Sequence, residues 1–171
     1  MLGVVLLYVA IVLISNGVAR LSKIDAKSQS IMNFFTGGLS VIANLILIVF
    51  GELLGIQDDF YSAATGLLFG FTYLYIAFNG IFNLNQRLYG WYSLFVAVNS
   101  IPAGILCVLD GGIFNILMAI IWWLWGVLWL TGFIETVLKK DLGNFVGYLG
   151  IFEGIFTAWI PGFMMLAGWW H

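Results

Sequence analysis

The stretch I-F-N-I-L-M-A-I-I-W-W-L-W-G-V-L-W-L-T-G-F-I-E-T-V-L, from Ile113 to Leu138, contains one charged residue, Glu135. As a helix rising 1.5 Å per residue it would be about 39 Å long, more than the hydrocarbon core of about 30 Å. In lipid no water satisfies backbone N–H and C=O groups, so a run of this kind must satisfy its own, and a helix does so. Lys139, Lys140 and Asp141 close the run. Reading outward, charges punctuate five further apolar runs: Met1–Ala19, Ser28–Gly51, Phe60–Gln86, Leu88–Leu109 and Leu142–Trp170. The last is interrupted only by Glu153. The expected spans are about 1–19, 30–51, 60–82, 89–109, 113–138 and 146–168, forming a single transmembrane channel domain over residues 1–171.

Composition agrees. Hydrophobic residues make up 63% of the 171 and charged residues 8%, with mean hydropathy +1.07. A soluble domain carries about 25% charged residues to coat its surface; here lipid must cover most of it. The net charge of −2 excludes a basic nucleic-acid surface. The lone Cys107 fits no metal spacing and no internal disulfide. Met1-Leu2-Gly3 carries no positive leader charge, so the first run is expected to be retained as a span.

All six basic residues, Arg20, Lys23, Lys27, Arg87, Lys139 and Lys140, follow runs one, three and five, whereas the turns after runs two and four carry only acidic charge. The positive-inside rule puts the basic turns in the cytoplasm and both termini outside. This describes an all-α bundle of three helical hairpins, with no repeat of residue identity evident among them. Short turns leave no soluble catalytic domain, so function must be built within the membrane.

Polar residues at membrane depth are costly and mark candidate sites. They are Asn16, Asn44, Thr72, Tyr73, Asn79, Asn99, Glu135, Glu153 and Thr157. Glu135 stands four residues before Lys139, the spacing of a helical ion pair. Glu153 has no basic residue within four positions and must face a partner or a polar path. Asn16 fits either function or interhelical bonding; Asn44, Asn79 and Asn99 fit packing better. Trp122, Trp125 and Trp129, at i, i+3 and i+7, share one helix face, as do Phe69 and Tyr73 at i, i+4. A narrow aromatic path with few charges gives a hydrated ion nothing to replace its water. A small planar neutral solute loses far less there. The residues alone therefore favour a neutral polar permeant and do not specify which. No nucleotide or metal motif is present, and no nucleophile–base constellation supports an intramembrane enzyme.

Six stretches carry a resemblance: L-L-Y-V-A-I-V-L-I-S-N-G at Leu6–Gly17, M-N-F-F-T-G-G-L-S at Met32–Ser40, A-T-G-L-L-F-G-F-T-Y-L-Y at Ala64–Tyr75, W-Y-S-L-F-V-A-V-N at Trp91–Asn99, W-G-V-L-W-L-T-G-F-I-E at Trp125–Glu135, and E-G-I-F-T-A-W-I-P at Glu153–Pro161. The chain resembles the UreI/AmiS urea and amide channel family. The resemblance implies a six-helix protomer with its own pore, a homo-hexameric ring in the bacterial cytoplasmic membrane, and urea entry that feeds a cytoplasmic urease, with no cofactor. It implies pore-lining positions at Leu6, Val9, Leu13, Phe69, Tyr73, Trp125, Leu128, Trp129 and Glu153, to which the residue pattern adds Asn16 and Trp122. Acid-gated members of the family carry outer-loop histidines. The outer turns here, Glu52–Phe60 and Asp110–Gly112, have none, so a channel without a histidine acid gate is expected. Alternatives are a channel for short aliphatic amides and a non-conducting structural subunit.

Overall fold

A computed structural model describes residues 2–55 and 58–170, the side chains of Asp58 and Asp59 excepted. Readings that fall on Met1 and His171 lie outside the described residues. Six helices are long and apolar enough to cross a membrane: α1 Leu2–Leu21, α2 Ala26–Leu54, α3 Asp58–Phe82, α4 Arg87–Asp110, α5 Ile113–Thr136 and α6 Phe145–Leu166. No strand occurs among the described residues. The helices group into two compact units, one holding α2 and α3, the other α1, α4, α5 and α6. Against the expected spans, α2 is longer at both ends, running from Ala26 to Leu54, and α5 stops at Thr136.

In the first unit, α2 is inverted relative to a soluble helix. Its buried face is Ser30, Asn33, Thr36, Gly37, Ser40 and Asn44, while Ile31, Phe35, Ile42, Leu45 and Phe50 are exposed. Lipid is as apolar as leucine, so helices associate through close approach and hydrogen bonds instead. A Cβ on Gly37 would lie 2.8 Å from Leu74 N and 2.9 Å from Gly70 O on α3. Ser40 Oγ donates to Gly66 O at 3.3 Å, and Asn44 Nδ2 donates to Ser40 O at 2.7 Å. Asn44 thus bonds within its own helix, while its side chain lies against Gly66 of α3. Asp25 caps α2 by accepting from Ser28 N at 2.9 Å and Ser28 Oγ at 2.6 Å. These bonds hold its carboxyl below the usual carboxylate range.

In the second unit, α4 packs on α5 and α1 on α6. A Cβ on Gly126 of α5 would meet Ser100 Oγ and, at 3.5 Å, Ala97 O on α4. Trp123 leans over Gly104 and donates Nε1–H to Ile101 O at 3.4 Å. Helices α1 and α6 run antiparallel: Gly17 abuts Gly147 and Ile151, Gly154 lies against Ala10 O, and Gly162 against Gly3 O. A Cβ on Gly17 would stand 2.5 Å from Gly147 O, so a side chain there would force the helices apart.

The most closely packed pairs that are consecutive in the chain, α2–α3 and α4–α5, lie across the acidic turns, and α6 packs mainly on α1. The small residues are on those faces. Glu135 does not pair with Lys139. Helix α5 ends at Thr136 and Lys139 adopts a left-handed φ of 58°, which destroys the i, i+4 geometry. Arg20 of α1 instead donates to both Glu135 carboxylate oxygens, at 2.8 Å from Nη1, and its Nε donates to Gly143 O at 2.8 Å. Glu135 also accepts from Leu142 N at 3.1 Å. One ion pair therefore ties the ends of α1 and α5 to the turn before α6.

Burial reveals a repeat that residue identity hides. The alternation of buried and exposed positions over residues 9–20 recurs over 69–80, and that of 29–40 recurs over 89–100 and 146–157. The repeat unit is the helical hairpin: α1–α2, α3–α4, α5–α6. It equates Val9, Phe69 and Trp125, and likewise Leu13, Tyr73 and Trp129. The close crossings obey it too: Gly70 with Gly37, Gly126 with Ala97, and Ala10 with Gly154. The three hairpins are thus real as repeats, while the tightest packing joins successive ones. Lipid tolerates any apolar residue on the outer face, so only the small-residue crossings and the buried register need to recur.

Candidate functional site

The site takes shape in the second unit, around the middle of α6. Glu153 is 0% exposed, and neither carboxylate oxygen has a hydrogen-bond partner among the described residues. Charge removed from water without a partner costs several kcal/mol, so its position needs a reason other than packing. Immediately after it the helix widens into a π-helical segment, Gly154–Trp159, where Ile160 N–H bonds back five residues to Ile155 O. The wide turn ends just before Pro161, whose ring would strike the Thr157 carbonyl in a regular α-helix. Such segments are rare and frequently accompany functional sites.

Thr157 sits inside this segment, fully buried. Its hydroxyl donates to Glu153 O at 2.6 Å and accepts from Trp125 Nε1 at 2.8 Å. Trp125 is itself buried on α5 and meets Trp122 edge to face, with ring centroids 5.3 Å apart. Trp129 is buried one turn along, and Leu128 and Trp122 are half-buried. On α1, Leu6, Val9 and Leu13 are buried on one face, whereas Leu7, Tyr8 and Ile11 on the other are exposed. Asn16 is half-buried on the same helix. The unit therefore gathers an acidic side chain, an ordered indole pair and an aliphatic stripe. Phe69 and Tyr73 are buried on α3 in the other unit, flanking its seam with α2, on the side opposite exposed Phe71 and Phe78.

The sequence singled out Glu153 and the tryptophans but did not join them. Thr157, among the polar residues at membrane depth, stands one turn beyond Glu153. The π segment had one readable sign, Pro161 inside an apolar run. No group of three or more His, Cys, Asp or Glu side chains that could hold a metal occurs among the described residues.

Six membrane-length helices, packed within each unit through glycines and small polar residues, with a buried acidic side chain and buried indoles in one unit, define a polytopic α-helical membrane protein of the transporter or channel type. Residues 1–169 match the AmiS/UreI family transporters, and the chain belongs to that family. It is 51% identical to an acid-activated urea channel of Helicobacter pylori, over 99% of this chain and 100% of that one. It is 38% identical to a protein of Mycolicibacterium smegmatis described as an amidate-substrate transporter, over 99% of this chain and 78% of the relative. The crystal structure of the Helicobacter pylori urea channel superposes with a TM-score of 0.92 at 53% identity, covering all of both chains.

Proposed function

We propose that the protein is a passive channel for urea across the bacterial cytoplasmic membrane, with both termini outside and the basic turns in the cytoplasm. It supplies a cytoplasmic urease and assembles as a homo-hexamer with one pore per protomer. The observation that carries the reading is Glu153, buried with no hydrogen-bond partner for either carboxyl oxygen among the described residues, one turn before the Thr157 that holds the Trp125 indole.

A carboxylate of this kind can accept the N–H groups of an amide passing through, while indole faces contact its flat surface. Together they suit a neutral, planar solute with N–H donors, and the indole faces give a hydrated ion little to replace its shell. We assign lining roles to Leu6, Val9, Leu13, Asn16, Trp122, Trp125, Leu128, Trp129 and Glu153 within the unit of α1, α4, α5 and α6, and to Phe69 and Tyr73 within the unit of α2 and α3. The repeat supports the assignment, because Val9, Phe69 and Trp125, and Leu13, Tyr73 and Trp129, occupy equivalent buried positions.

A channel for short aliphatic amides is the second reading, favoured by the amidate-transporter relative; the higher identity of the urea channel ranks urea first. The alignment with the acid-activated relative runs to 194 positions, more than this chain contains, so that relative has segments with no counterpart here. This supports a channel with no histidine acid gate. The test is the flux of urea and acetamide, side by side, into vesicles containing the purified protein. Urea entering several-fold faster than acetamide supports the first reading, and the reverse order supports the second.

A further inference from the structure

We propose that Thr157 is a selectivity-setting residue that acts by positioning: its hydroxyl fixes the Trp125 ring relative to the π segment that carries Glu153, and so sets the width of the aromatic slot. The proposal rests on the channel reading above.

The repeat shows what is particular about this position. Thr157 is equivalent to Ser40 and Ser100. Ser40 Oγ donates to the Gly66 carbonyl of the neighbouring helix, and Ser100 Oγ to Ala97 O on its own helix. Ser40 thus bonds across a seam, and Ser100 lies against Gly126 at one. Thr157 alone of the three bonds an aromatic side chain, from α5, and does so while bonding the backbone of α6. Its one hydroxyl is used in both directions, accepting from the indole and donating to the Glu153 carbonyl.

An indole at a lining position can tilt about its χ torsions, and Trp125 stands edge to face with Trp122. Tying Nε1 to a buried hydroxyl fixes the ring plane. The hydroxyl is itself held, because its β-branched side chain is stiff at χ1 and its proton is committed to Glu153 O. The π segment makes this possible, since a widened turn changes the direction in which residue 157 projects from the helix. The chain is thus indole to hydroxyl to the main chain of the glutamate, placing the flat face and the acceptor of the site in fixed register.

The test uses full-length protein in vesicles, measuring urea and acetamide permeability for wild type, Thr157→Val, Thr157→Ser, Trp125→Phe and Thr157→Val/Trp125→Phe. Valine keeps the shape and removes both hydrogen bonds, so Thr157→Val is expected to lower the urea-to-acetamide ratio about five-fold, the equivalent of about 1 kcal/mol. Serine restores the ratio to within about two-fold of wild type. Trp125→Phe removes the donor, so adding Thr157→Val to it changes the ratio no further. The ¹⁵N-indole resonance of Trp125, identified by its loss in Trp125→Phe, moves upfield in Thr157→Val and stays in place in Thr157→Ser. An unchanged ratio in Thr157→Val with wild-type urea flux overturns the proposal, as does an additive effect in the double variant. Absence of urea flux in the wild type overturns the channel reading instead.

Discussion

The adjacent glycines Gly37 and Gly38 on α2 give opposite outcomes when changed to alanine. A Cβ on Gly37 would stand 2.8 Å from Leu74 Cγ, 2.8 Å from Leu74 N and 2.9 Å from Gly70 O. Two of these are backbone atoms of α3, which cannot rotate aside, and each lies about half an ångström or more inside ordinary contact. Relief requires α2 and α3 to separate, and overpacking of this kind costs about 1–3 kcal/mol. A Cβ on Gly38 would meet nothing within 4 Å. Both substitutions gain the same helix propensity, up to about 1 kcal/mol, so the difference between the two variants isolates the steric cost. Thermal unfolding of the purified protein in detergent, followed by circular dichroism, measures it. Gly38→Ala is expected to melt at or slightly above wild type, and Gly37→Ala several degrees below Gly38→Ala. Alanine variants melting within a degree of each other would refute the close-packed seam.

Glu135→Ala removes the acceptor of Arg20 and of Leu142 N–H and is expected to cost about 1–3 kcal/mol in the same assay, whereas Lys139→Ala stays within about 0.5 kcal/mol of wild type; equal losses would restore the helical Glu135–Lys139 pair. Trp125→Ala opens the slot, and the acetamide-to-urea permeability ratio is expected to rise several-fold; no change in flux or ratio would make the indole mere packing. Urea flux at pH 5 and pH 7.5 is expected to agree within two-fold. Asp25 has a lowered pKa, so its capping contribution is present above the usual carboxylate range and is lost only as pH falls through its folded value, which lies below that range. A several-fold rise in flux at pH 5 would contradict the absence of an acid gate.

Much of the fold is legible in the sequence, and for a physical reason. Lipid imposes length and apolarity on every span, so charge placement alone marks six helices. What it does not mark is which helices meet. Packing in lipid is decided by where backbones approach, and Gly37 and Gly38 look identical in the chain although only one lies at a crossing. The Glu135–Lys139 spacing misleads because it assumes a helix that has already ended. At the site, Glu153 and the Trp122–Trp125–Trp129 face are readable because a lone carboxylate and a mid-helix indole are both out of place facing lipid. Their link through Thr157 is not, since it depends on a π segment whose wider turn alters the helical register that pattern reading assumes.

The most direct measurement is stopped-flow urea permeability of vesicles containing the purified protein, against protein-free vesicles, for wild type and Glu153→Gln. The channel account predicts a wild-type permeability well above the lipid background and a several-fold fall in Glu153→Gln, whose amide NH2 takes the place of one acceptor oxygen. Wild-type permeability equal to that of bare lipid would contradict it.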